Sequence, residues 1–138
     1  MKLILKTFFL STVLFAACAA PKQSSNVSKP GINQNISTDS TYGYTQGNPI
    51  KVGGGNAGPL REREYLNNLK GPNGESINYT RKGSCCPFKT KNGFMGGGML
   101  DIYIITWEKQ KEPVTLYINM YDKDKLKAPV GFTTRRAF

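Results

Sequence analysis

The chain has 138 residues, with 19 lysines and arginines against 9 aspartates and glutamates, a formal net charge of +10, three cysteines and no histidine. That length holds one domain and not two. The missing histidine excludes a Ser-His-Asp or Cys-His nucleophile and any imidazole metal site within this chain, while the charge either draws phosphate, lipid headgroups, nucleic acid or acidic glycans or only keeps a small domain in solution.

Residues 1–17 read as a removable signal peptide. Lys2 and Lys6 give a positive start, and residues 7–17 (TFFLSTVLFAA) form an apolar run far short of the about 20 residues of a membrane span. The run ends in Leu14-Phe15-Ala16-Ala17-Cys18, which resembles the lipobox of bacterial lipoproteins; an ordinary cut after an Ala-x-Ala site is the rival reading. In the lipobox reading the Cys18 thiol receives a diacylglycerol and becomes the new N-terminus. Two or more acyl chains hold a protein firmly on a bilayer, so the expected location is the cell membrane, on the periplasmic face or the outer membrane of a Gram-negative bacterium. Residues 18–40 are rich in Ser, Asn, Gln, Lys and Pro and read as a flexible tether. The folded domain is expected over residues 41–138.

Within it, residues 42–44 and 50–52 look extended, and residues 53–58 look like a loop. A helix is predicted over 59–69, with Pro59 at its first position and Gly71-Pro72 as its stop. Leu60, Tyr65, Leu66 and Leu69 would form its apolar side, opposite Arg61, Glu62 and Lys70. Strands are predicted over 77–82, 99–108 and 114–121, the last two joined as a hairpin. In the second, Leu100, Ile102, Ile104 and Thr106 share one face and Tyr103, Ile105 and Trp107 the other. Residues from 122 onward, with Pro129 and Gly131, read as mostly irregular. The fold class is therefore α+β: a small antiparallel sheet of about three to five strands in a meander, with one helix packed on it.

Gly53, Gly54, Gly55 and Gly58 fit G-x-G-x-x-G between a strand and a helix. A dinucleotide site needs a βαβ unit and an acid about 20 residues on, and antiparallel strands follow here instead. What survives is an anion-binding loop at a helix start, or a plain turn. No cofactor and no metal is expected. In a second glycine cluster (GFMGGG, residues 93–98), Phe94 and Met95 either dock onto the core or form an exposed apolar patch. Cys85 and Cys86 are adjacent. Neighbouring Cα atoms sit about 3.8 Å apart, below the roughly 4.4–6.8 Å of ordinary disulfides. The pair is open to three readings: small buried hydrophobes, a strained and easily reduced ring, or a bridge to a partner chain. Arg81, Lys82, Lys89 and Lys91 interleave with aromatics and form either a phosphate-facing patch or a solvated basic loop; no nucleic-acid fold signature accompanies them, so no nucleic-acid partner is expected.

Over residues 42–133 the chain resembles a family of small exported proteins of Gram-negative bacteria, through YGYTQGNPIKVGGG, REREYLNNLKGPNGE, GSCCPFKTKNGFMGGGMLD, LYINMYD and KLKAPVGFT. Members often carry the name 2-dehydro-3-deoxyphosphooctonate aldolase. That name implies chemistry on a phosphorylated sugar acid, housed in a TIM barrel of about 250 residues with eight β-α units. Neither the length nor the export signal suits it, and the family brings no site residue to this chain. Two functions follow as expectations. One is a lipid-anchored envelope lipoprotein that binds a protein, a glycan or an anionic lipid, or serves structurally. The other is an enzyme, either thiol-dependent through Cys85 or Cys86, with a thiol pKa lowered by neighbours such as Arg81 or Lys89, or an aldolase as the family name suggests.

Overall fold

Alternating apolar residues build the sheet that organises this chain. The computed structural model describes residues 35–138; the signal segment, Cys18 and the first part of the expected tether lie outside them. The elements are β1 (Ile50–Lys51), a 3-10 turn (Gly55–Ala57), helix α1 (Gly58–Asn68), β2 (Leu69–Lys70), β3 (Ile77–Lys89), a second 3-10 turn (Phe94–Gly96), β4 (Gly97–Trp107), β5 (Val114–Asn119) and β6 (Thr133–Thr134). The four-stranded sheet has the order β1-β5-β4-β3, and β2 with β6 forms a separate two-stranded ladder. The fold is α+β with a small sheet. The sheet is not purely antiparallel: β3, β4 and β5 form an antiparallel meander, but β1 joins β5 in parallel. Ile50–Lys51 is too short for alternation to reveal a direction.

The strand predicted over 77–82 runs on to Lys89. Its ladder with β4 shifts register between Arg81 and Gly83 and again between Cys85 and Pro87. These bulges let the strand pass two residues that read as breakers, Gly83 at φ 152° and Pro87 just after Cys86 at φ 60°. β3 is the edge strand, and Pro87 sits at one of its bulges, both places where a strand tolerates proline.

The face of the sheet under α1 carries Asp101, Tyr103 and Ile105 from β4 and Leu116 and Ile118 from β5, all buried. They meet Tyr65, Leu66 and Leu69, with Ile50, Val52, Ala128 and Phe132 completing the core. The helix faces differently from expectation. Leu60 is 50% exposed, while Glu62 has no exposed surface. The inward stripe is Gly58, Glu62, Tyr65 and Leu66, at helical spacing but with a carboxyl in its middle. Gly58 lies where an added Cβ would be 2.7 Å from the Met120 sulfur, so a side chain there would push the helix start off the end of β5.

Residues 35–37, expected in the tether, belong to the fold. Ile36 bridges Ala128 in parallel. The Ser37 amide donates to the Ala128 carbonyl at 2.8 Å, and the Ala128 amide donates to the Asn35 carbonyl at 2.8 Å. Residues 42–44, expected to be extended, form turns.

Candidate functional site

One side of α1 is left to solvent and lines a cleft. Arg61, Glu64, Tyr65 and Asn68, spaced three, four and seven residues apart, form one wall. The cleft has a volume of about 620 Å³. Its opposite wall is the loop after β5, Lys123 to Leu126, and the chain end from Arg136 to Phe138 closes it. Each wall is held by long-range bonds. The Asp124 amide donates to the Lys51 carbonyl at 3.2 Å. The Asn35 amide group donates to the Leu126 carbonyl at 2.7 Å, and the Tyr65 hydroxyl to the Lys127 carbonyl at 2.8 Å. Asn68 binds the chain end at both its amide atoms: Nδ2 donates to the Arg136 carbonyl (2.9 Å) and Oδ1 accepts from the Arg136 amide (3.1 Å). The Phe138 ring stacks on Tyr65 at 4.9 Å. Burial pushes the Tyr65 hydroxyl well above the usual tyrosine range, so it stays a donor at all ordinary pH.

The cleft is electropositive. Arg61, Lys123, Lys125 and Arg136 line it, against Glu64 and Asp124. Arg61 and Glu64 pair at 3.3 Å, which leaves Lys123, Lys125 and Arg136 against Asp124. The start of α1 adds to the field, since it has no side-chain cap and no acid in its first turn. Gly54 also lines the cleft. Gly53, Gly54 and Gly55 all have positive φ, and a Cβ on Gly54 would lie 2.8 Å from Arg61 Cγ. A run of three such angles needs glycine. Of the four glycines read as an anion loop, then, Gly54 borders the cleft, Gly53 packs against Lys123, Gly55 faces open space and Gly58 serves helix packing.

A second cavity of about 300 Å³ lies across the same Asp124–Lys125 segment, between Asp39, Tyr42, Asn48, Lys51 and Lys127. Hydrogen bonds from the Thr41 hydroxyl and amide hold the Asp39 carboxyl below the usual range.

Cys85 and Cys86 are bonded to each other on edge strand β3, and line neither cavity. Arg81 is not part of a free basic patch. It donates twice to the buried Asp101 carboxylate, from Nε at 2.7 Å and from a terminal nitrogen at 2.8 Å, and Ser84 donates to the same group at 2.7 Å. Next to Asp101 sits Glu62. The Tyr103 hydroxyl donates to one Glu62 oxygen at 2.9 Å; the other has no hydrogen-bond donor and faces Asp101. Burial and then the Asp101 charge push the Glu62 carboxyl up to about 7. Burial also works to raise Asp101, but the hydrogen bonds of Arg81 and Ser84 and the Arg81 charge outweigh it, and its carboxyl stays below the usual range. Below about pH 7 the two acids thus share one proton, held on Glu62. All of Glu62, Asp101 and Tyr103 are buried, so this cluster ties helix to sheet rather than meeting a ligand.

No family model, no curated protein and no solved structure matches the chain. The cleft must be read from its own chemistry.

Sequence reasoning missed Lys123, Lys125 and Arg136 as cleft residues. The signal was present as clustered cations in KDKLK and RR, but only the fold brings those runs to α1.

Proposed function

We propose that the chain is an envelope lipoprotein, anchored through Cys18, that acts as a binding module and holds an anionic ligand in the cleft beside α1. The observation that carries this reading is the cleft's lining of four cations against two acids, in a concavity of about 620 Å³, within the usual range for ligand sites. The anchor reading rests on the apolar run and the small residues before Cys18. The thiol-dependent alternative loses support, because a closed Cys85–Cys86 bond offers no thiolate.

Two measurements test the proposal. Mass spectrometry of the membrane-extracted protein is expected to find an N-terminal Cys18 carrying diacylglycerol. A free Cys18 thiol or an intact Met1 would reject the anchor. For the cleft, thermal melts with pyrophosphate and with a glucuronate oligosaccharide are expected to show a rise in Tm that grows with probe concentration. The double variant R61A/R136A removes two exposed side chains, so its own stability stays within about 0.5 kcal/mol of the parent, and its probe-linked rise should vanish. An equal rise in parent and variant would place the ligand elsewhere.

A further inference from the structure

The hairpin between β3 and β4 ends in a display of apolar side chains with no partner among the described residues. Phe94 is 89% exposed and Met95 is 90% exposed. Side chains that bare on a folded protein stand on a projection. Below them, Pro87 pairs across the ladder with Met99 on one face of the hairpin, and Met99 is itself 43% exposed.

The display is built rather than loose. Met95 holds a left-handed backbone at φ 51°, a conformation that glycine adopts freely and methionine does not. The turn beneath is closed by the Thr90 amide donating to the Gly96 carbonyl at 3.0 Å. Asp122 clamps it, accepting from the Thr90 hydroxyl at 2.6 Å and from the Asn92 amide group at 2.9 Å. The hydrogen bond from Thr90 holds the Asp122 carboxyl below the usual range; Thr90 and Asn92 both bind its Oδ1, and the Asn119 amide group donates to Oδ2 at 3.0 Å. Gly93 has no room for a side chain, since a Cβ would fall 1.8 Å from the Gly97 carbonyl oxygen. Lys89, at the end of β3, and Lys91, in the turn, are both exposed, and neither makes an ion pair among the described residues.

We propose that this tip enters the interface of an anionic bilayer, with Phe94 and Met95 among the acyl chains and Lys89 and Lys91 on the phosphate headgroups. Shape and charge select this occupant. A stable protein partner needs about 1,000 Å² of complementary surface, and two projecting side chains offer a small fraction of that. A bilayer needs no complementary pocket: it accepts apolar wedges, and each nearby lysine is drawn to its negative surface. The inference rests neither on the cleft nor on the Cys18 thioether, and its outcome is independent of theirs.

The test uses the full chain carrying F94W, reconstituted with vesicles of phosphatidylglycerol and phosphatidylcholine, with the Trp107 signal of the parent subtracted. Emission from the introduced indole is expected to move to shorter wavelength and to be quenched by bromine placed on the acyl chains. Adding K89E and K91E should lose most of that quenching, and so should vesicles of phosphatidylcholine alone. Emission that stays at its aqueous wavelength with every vesicle overturns the proposal. Quenching that ignores both charge changes overturns it as well. A blue shift that rises with protein concentration in the absence of lipid would overturn it too, and would mean that a second copy covers the tip.

Discussion

A carboxyl with no exposed surface has to be neutral or matched, and Glu62 sets a pH dependence because it is held neutral beside a charged Asp101. In the unfolded chain it ionises near 4.5; in the fold it holds its proton up to about 7. Its contribution is therefore full below about pH 4.5 and is lost as pH rises through 7. Each pH unit between the two values is worth about 1.4 kcal/mol, so the loss is on the order of 3 kcal/mol. Asp101 has the opposite sign. Its carboxyl lies below the usual 3.8, so its contribution is present at neutral pH and disappears only in acid. E62Q keeps the shape, still accepts from Tyr103, and can donate to Asp101 without a proton to lose. Urea unfolding is expected to find E62Q close to the parent at about pH 5 and more stable at about pH 8 by up to about 3 kcal/mol. A parent and variant that track each other across that range would show that Glu62 does not carry the proton.

At the scale of elements, the helix and the edge strand make separate claims. Leu66 is fully buried and Leu60 half exposed. L66A is expected to cost about 2–5 kcal/mol and L60A no more than about 0.5 kcal/mol, which denaturant midpoints will separate. On β3, the Cys85–Cys86 bond joins neighbours in sequence. A disulfide stabilises more the longer the unfolded chain it closes, typically by about 2–4 kcal/mol, and a loop of adjacent residues closes almost none. C85S/C86S is thus expected to lower stability by less than about 1 kcal/mol, measured by thermal melting with and without reductant. These two elements also show what the sequence carries. The helix was legible in extent within one residue at each end, because Pro59 and Gly71-Pro72 punctuate it. Its facing was not, because hydropathy places Leu60 inside and Glu62 outside, and only the Tyr103–Asp101–Arg81 network reverses that. β4 and β5 were legible as strand-length runs of β-branched and aromatic residues separated by a short polar turn. The far half of β3 was not, because bulges hide behind residues that end a strand elsewhere. In the loop of residues 93–98, both the core-docked and the exposed reading of Phe94 and Met95 followed from composition; burial alone separates them.

On the scale of the whole molecule, the described fold is closed by its distant ends. Asn35 and Ser37 pin the segment at 126–128, Val52 bridges Lys123, and β2 pairs with β6. No local pattern encodes such contacts, so the cleft they frame had no signature in the sequence beyond its cations. Asn68 is where this closure meets the proposed function. It is buried, it sits at the end of α1, and it holds the chain end three ways, its backbone carbonyl also accepting from the Arg135 amide at 2.8 Å. N68A would leave the Arg136 amide and carbonyl without their side-chain partner and loosen the Arg136–Phe138 wall, which keeps the backbone bond from Arg135. Each of the two lost hydrogen bonds is worth about 0.5–1.5 kcal/mol, which a denaturant titration will read. The same variant is expected to lose the rise in Tm with pyrophosphate, although it retains Arg61, Lys123, Lys125 and Arg136. A full probe-linked rise in N68A would mean that charge alone holds the anion and that the closing wall has no part in the site.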